Sequence, residues 1–171
     1  MRYLKLISLS VLLCCMSAAN AVSSYISNPL PVGEARLEVM FFDIYDAKLI
    51  ASDGDFHPDK PFALSLTYLR EFKGKSIASR SIDEMRDQGM EDEVKLATWF
   101  EQMQQLFPDV DKGQTITGIA DASGRAVFYY NDSKIGSVDD PDFTQWFFNI
   151  WLSENTSQPK MREKLLGLNN D

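Results

Sequence analysis

The segment 140–152 constrains this chain more than any other feature. Asp140-Pro141 is a helix start, a capping acid followed by proline at the first helical position. The helix behind it carries Phe143, Trp146, Phe147, Phe148, Ile150, Trp151 and Leu152. Those side chains cover well over half of its circumference, so other elements must enclose it on most sides. The chain must therefore fold in layers around this helix.

Strands supply the other layer. In the run 61–72, Phe62, Leu64, Leu66 and Tyr68 fall on one face, and Ala63, Ser65 and Thr67 on the other. From Gly33, Leu37, Val39 and Phe41 alternate with Arg36, Glu38 and Met40. The phase slips at Phe41-Phe42, after which Phe42 and Ile44 take the apolar parity. One extra residue does this, which predicts a bulge or a corner. Two further strands, 114–120 and 125–131, flank an Ala122-Ser123-Gly124 turn, and Ile135 begins another short one.

Between them lie helices. After a tight turn at Gly74, Ser81-Ile82-Asp83-Glu84 has the form of a capping box, with Gly89 as the stop. Leu96, Trp99, Phe100, Met103, Leu106 and Phe107 mark a second helix that Pro108 ends. Ser157 and Pro159 open a last amphipathic helix with Met161, Leu165 and Leu166 inside and Gly167 as its stop. Strands and helices are segregated more than alternated, which predicts an α+β fold with an antiparallel sheet.

The first 21 residues read as a secretory signal: Arg2 and Lys5, an apolar core from Leu6 to Met16, and Ala19-Asn20-Ala21 as the cleavage site. The core is too short to span a bilayer. Cleavage predicts a mature chain beginning at Val22. Residues 22–32 then form a leader, spaced from regular structure by Pro29 and Pro31, and residues 169–171 a short tail. The loss of Arg2 and Lys5 takes the net charge from −8 to −10. A surface of that sign repels nucleic acid and anionic membranes. Cys14 and Cys15 both lie in the signal, so the mature domain depends on its core without disulfides or thiolate metal sites. No later apolar run is long enough for a membrane span.

Several familiar chemistries are excluded. There is no Gly-x-Ser-x-Gly elbow. Gly74-Lys75-Ser76 resembles the end of a phosphate loop, but Leu69 stands where the first glycine belongs. Asp53, Asp55 and Asp59 resemble a calcium loop, but its twelfth position is Leu64. His57, the one histidine, sits in a proline-flanked loop and reads as a solvated side chain. No catalytic, metal or cofactor residue is assigned. The 11 Phe, 6 Tyr and 3 Trp would serve equally as core or as walls of an apolar cleft.

Phe107-Pro108-Asp109-Val110, Lys112-Gly113, Asp140-Pro141-Asp142-Phe143 and Phe147-Phe148-Asn149-Ile150-Trp151-Leu152 together resemble the bacterial chalcone isomerase-like family. Pro61-Phe62-Ala63-Leu64, Tyr68, Arg70 and Tyr45-Asp46-Ala47 fit it too. The similarity runs from Gly33 to Leu168, taken as one domain, 33–168. It implies an open-faced β-sandwich: a curved antiparallel sheet, helices packed over one face, and a cleft between the layers. The family contains plant isomerases that close a chalcone to a flavanone, and non-catalytic relatives, some of which bind fatty acids.

The isomerase residues do not carry over. The family's threonine, after an aromatic and before an alanine, falls on Asp46. The helix that holds its tyrosine and asparagine reads here Ser81 to Gln88 and has neither. The family's first-strand arginine falls on Arg36, whose planar fork suits an anionic head group. Its structural alternative is a surface pair with Glu34 or Glu38. The resemblance thus implies a non-catalytic exported domain, periplasmic in a Gram-negative cell, that binds a fatty acid or similar amphiphile through Arg36, Tyr45, Asp46 and Tyr68. The alternatives are an isomerase of the intramolecular lyase type, and a partner-binding domain without a small ligand.

Overall fold

The computed structural model describes residues 18–168, so most of the expected signal and the 169–171 tail lie outside the described residues. A helix α1 (Ala18–Ser23) leads into strands β1 (Pro29–Val39), β2 (Phe42–Ser52) and β3 (Phe62–Tyr68). Helices α2 (Gly74–Asp87) and α3 (Glu93–Leu106) follow. Strands β4 (Thr115–Ala120), β5 (Ala126–Tyr130) and β6 (Ser133–Val138) come next, then helices α4 (Pro141–Leu152) and α5 (Pro159–Leu165). The six strands form one antiparallel sheet in sequence order. The expected α+β architecture is thus observed, with α2 to α5 on one face of the sheet.

The core lies between that face and the helices. Leu49, Phe62, Leu64, Leu66, Tyr68, Ile116 and Phe128 meet Met85, Leu96, Trp99, Met103, Phe143, Phe147 and Trp151. Helix α4 is enclosed as its composition required. Asp140 caps it by accepting from the Asp142 and Phe143 amides, and its other oxygen accepts from Trp99 Nε1 at 2.9 Å. Gly118 of β4 gives the Phe148 ring room to lie on the sheet; an added Cβ would meet its Cζ at 3.1 Å. At Gly33 helix α5 rests on β1, where a Cβ would come within 2.1 Å of the Lys164 carbonyl oxygen.

The opposite face has its own small core. Val22 and Ile26 cover Ala63, Ile119 and Val127, with Tyr25, Ile50 and Tyr129 around them. The expected cleavage point before Val22 falls within α1. Farther along this face the sheet is polar, and Ser65–Thr117 and Thr67–Thr115 pair by hydroxyls at 2.8 Å.

Three local expectations are corrected. Residues 29–32 are not an irregular leader: Pro29 and Pro31 belong to β1. That strand lies at the sheet edge, where a residue without an N–H is tolerated. The phase slip at Phe41-Phe42 is a chain reversal. Met40 and Phe41 take positive φ of 49° and 68° in a two-residue hairpin, and a register shift between Leu37 and Glu38 adds a bulge beside it. Ser81–Glu84 is not a capping box and Gly74 is not a turn, because α2 begins at Gly74 and Ser81 lies mid-helix, its hydroxyl bonded to the Ile77 carbonyl. The cap comes from far away in sequence. Asp109 accepts from the Gly74 amide at 3.0 Å and from Lys73 Nζ at 2.7 Å.

Candidate functional site

The layers part at one end to leave an apolar cleft of about 520 Å³, within the usual range for a small-ligand site. Its sheet wall is Leu37, Tyr45, Leu66, Tyr68 and Ile116, side chains that strand alternation points toward the helices. Its helix wall is Ile77 of α2 with Phe147, Ile150 and Trp151 of α4. Tyr45 and Tyr68 meet edge to face, ring centroids 6.0 Å apart. Trp151 Nε1 donates to the Tyr45 hydroxyl at 2.9 Å and ties the two walls together. Burial pushes the Tyr45 phenol up to about 12 and raises that of Tyr68 as well, so both are neutral at ordinary pH. A larger depression of about 820 Å³ lies elsewhere, against the loop carrying Asp55, Asp59 and Lys60. Phe62, Phe148 and Leu152 also line it, but its wall is more polar than that of the cleft.

The polar end of the cleft is built by α2. Arg80, Ser81 and Glu84 line it, with Ser157 and Gln158 from the segment before α5. Glu84 is only 6% exposed, whereas the Arg80 side chain is 66% exposed. Arg80 donates to Glu84 Oε1, and Ser157 Oγ donates to the same oxygen at 3.0 Å. Oε2 of Glu84 is buried without a hydrogen-bond partner.

The four residues expected at the site are therefore divided. Tyr45 and Tyr68 line the cleft; Arg36 and Asp46 do not. Arg36 stands directly across from Asp46 in the β1–β2 register and on the opposite face of the sheet from Tyr45. Arg36 Nε and Nη2 reach the two Asp46 oxygens at 2.7 and 2.9 Å, and Nη1 reaches Asp43 at 2.9 Å. The guanidinium bonds hold the Asp46 carboxyl below its ordinary range. The arginine is thus a surface partner of two aspartates, neither of which is Glu34 or Glu38. Arg80 and Glu84 are the charged residues the sequence reading missed. Their four-residue spacing on a helix was the available signal, and the capping-box reading of Ser81–Glu84 obscured it.

Among the described residues, no group of three or more His, Cys, Asp or Glu side chains could hold a metal ion, and no helix is long and apolar enough to cross a membrane.

A single antiparallel sheet with helices packed over one face and an apolar cleft between the layers defines the architecture as an open-faced β-sandwich. The chalcone isomerase-like family matches residues 35–167, and the chain belongs to that family. An uncharacterized protein of Haemophilus influenzae is 30% identical over 138 residues, which is 80% of this chain and 67% of that protein. The crystal structure of a fatty-acid binding protein from Arabidopsis thaliana superposes with a TM-score of 0.65 at 11% identity. The match covers 82% of this chain and 87% of the other, and establishes a shared fold.

Proposed function

We propose that this protein is exported, holds the alkyl chain of one small amphiphile, a fatty acid or a similar molecule, in the cleft between sheet and helices, and performs no catalysis. The observation that carries this reading is the cleft itself: a wall mostly of aromatic and aliphatic side chains with a small set of hydrogen-bonding groups, among them Arg80, Ser81, Glu84 and Ser157. That distribution matches a molecule with a long apolar part and a single polar head. The fatty-acid binding protein of the same fold supports it.

The non-catalytic part rests on position. The residue in the place of the isomerase threonine is Asp46, and Arg36 holds it on the far face of the sheet. Export rests on the N-terminal pattern of Arg2, Lys5, an apolar core and Ala19-Asn20-Ala21. Burying about ten methylenes would supply roughly 8 kcal/mol, before ordering losses that take half or more. Micromolar affinity is therefore within reach.

Mass spectrometry tests the reading on protein recovered from the exported fraction: a chain starting at Val22 and carrying an extractable single-chain amphiphile. A retained Met1 would defeat the export proposal. Recovered protein without ligand, together with no binding of added laurate, palmitate or the matching alcohols below about a millimolar dissociation constant, would favour a partner-binding domain.

A further inference from the structure

We propose that Glu84 sets the head-group choice of this cleft, admitting a head that donates a hydrogen bond (hydroxyl, amine or amide, or a carboxylic acid in its protonated form) in preference to an ionised carboxylate. The proposal rests on the reading that the cleft holds an alkyl chain, and it identifies which chains.

The electrostatics of the polar end are asymmetric. Its anion is inside and its cation outside: Glu84 is 6% exposed, and the Arg80 side chain 66%. Arg80 Nη2 and Ser157 Oγ donate to the same oxygen, Oε1. The second oxygen is buried and unpartnered. A carboxylate oxygen in apolar surroundings pays a desolvation cost that a single donor largely removes. The nearby Tyr45 phenol already accepts the Trp151 N–H, and burial keeps it neutral. A ligand that brings a donor completes the Glu84 carboxylate once a rotation of that side chain turns the buried Oε2 toward the cleft. An ionised carboxylate in the same place sets two anions side by side at low dielectric, while the Arg80 charge that would offset them stands largely in water.

The test holds the chain constant and varies the head. Dodecanol, dodecylamine and laurate are titrated below their micelle thresholds into the full chain and into Glu84→Gln. About 0.3 M salt screens the overall negative charge. In the wild type, the amine and the alcohol should bind at least about tenfold more tightly than laurate at neutral pH, corresponding to about 1.4 kcal/mol. In Glu84→Gln the amide oxygen stays with Arg80 and Ser157, and its NH2 group takes the position of Oε2. The cleft then offers a donor where it had an acceptor, so laurate should gain and dodecylamine lose, reversing the order.

Equal binding of all three heads in the wild type would overturn the head-group assignment and leave the cleft reading intact. So would an unchanged ranking in Glu84→Gln. Failure of all three to bind would overturn both. The wild-type ranking decides the matter alone if the variant does not fold.

Discussion

Trp151 joins the core to the cleft, and its replacement separates those two roles. It is 7% exposed, packs against Phe147 with ring centroids 5.4 Å apart, and donates its indole N–H to Tyr45. Truncating a buried aromatic to alanine costs about 3–5 kcal/mol. Two structural features set the position within that range. Trp151 lines the cleft, so the space it leaves opens onto existing space and does not become a sealed void. The loss of the N–H removes a cross-wall hydrogen bond, worth about 0.5–1.5 kcal/mol. Trp151→Ala should therefore cost about 3 kcal/mol, and Trp151→Phe, which keeps most of the ring and loses the donor, about 1–1.5 kcal/mol. Phe128→Ala provides the contrast. Phe128 is fully buried among Phe107, Phe143 and Phe147, so its deletion leaves an enclosed cavity and should cost more than Trp151→Ala. Urea unfolding followed by circular dichroism measures all three without relying on the tryptophan that is removed. A cost below about 0.5 kcal/mol for Trp151→Ala would mean that α4 does not seal the core as described. A cost equal to that of Phe128→Ala would mean that Trp151 stands in closed core, not on a cleft.

Two further outcomes follow from the same packing. Ile26→Ala should cost about 2–4 kcal/mol by uncovering Ile119 and Val127 on the outer face, measured by the same unfolding assay, and a neutral result would remove the segment carrying Val22 and Ile26 from the folded domain. Burial raises the Tyr45 and Tyr68 phenols, so their contribution to stability is fully present below the ordinary tyrosine range and is lost as pH rises through their folded values; phenolate absorbance should show Tyr45 titrating near pH 12, and a Tyr45→Phe difference spectrum with ionisation near pH 10 would contradict its burial.

The elements that the sequence revealed are those whose signals are local. Asp140-Pro141 marks the start of α4 within two residues, and the alternation from Phe62 to Tyr68 marks β3 and its inward face. What escaped depended on distant partners. The start of α2 is capped by Asp109, 35 positions away, so no residue near Gly74 announces it. Pro29 and Pro31 read as breakers until β1 is known to be an edge strand. The face taken by Arg36 depends on its pairing with Asp46 and on a bulge in the β1–β2 ladder, and a shift of one residue reverses the face. Half of the expected site fell to that parity. Tyr45 and Tyr68 lie on the inner face, and the charged groups that face the cleft come from a helix that begins at Gly74, well before the start its sequence suggests at Ser81.

The central claim is that the space between sheet and helices receives an alkyl chain. Calorimetric titration of laurate and dodecanol into the wild type and into Ile150→Trp tests it most directly, because Ile150 faces the cleft from α4 and a larger side chain there fills it. The account predicts micromolar binding of at least one ligand to the wild type. It also predicts a loss of at least about tenfold in the variant, whose unfolding midpoint should fall by no more than overpacking of about 1–3 kcal/mol explains. Binding that survives unchanged in a folded Ile150→Trp protein, or wild-type protein that takes up neither ligand, would contradict it.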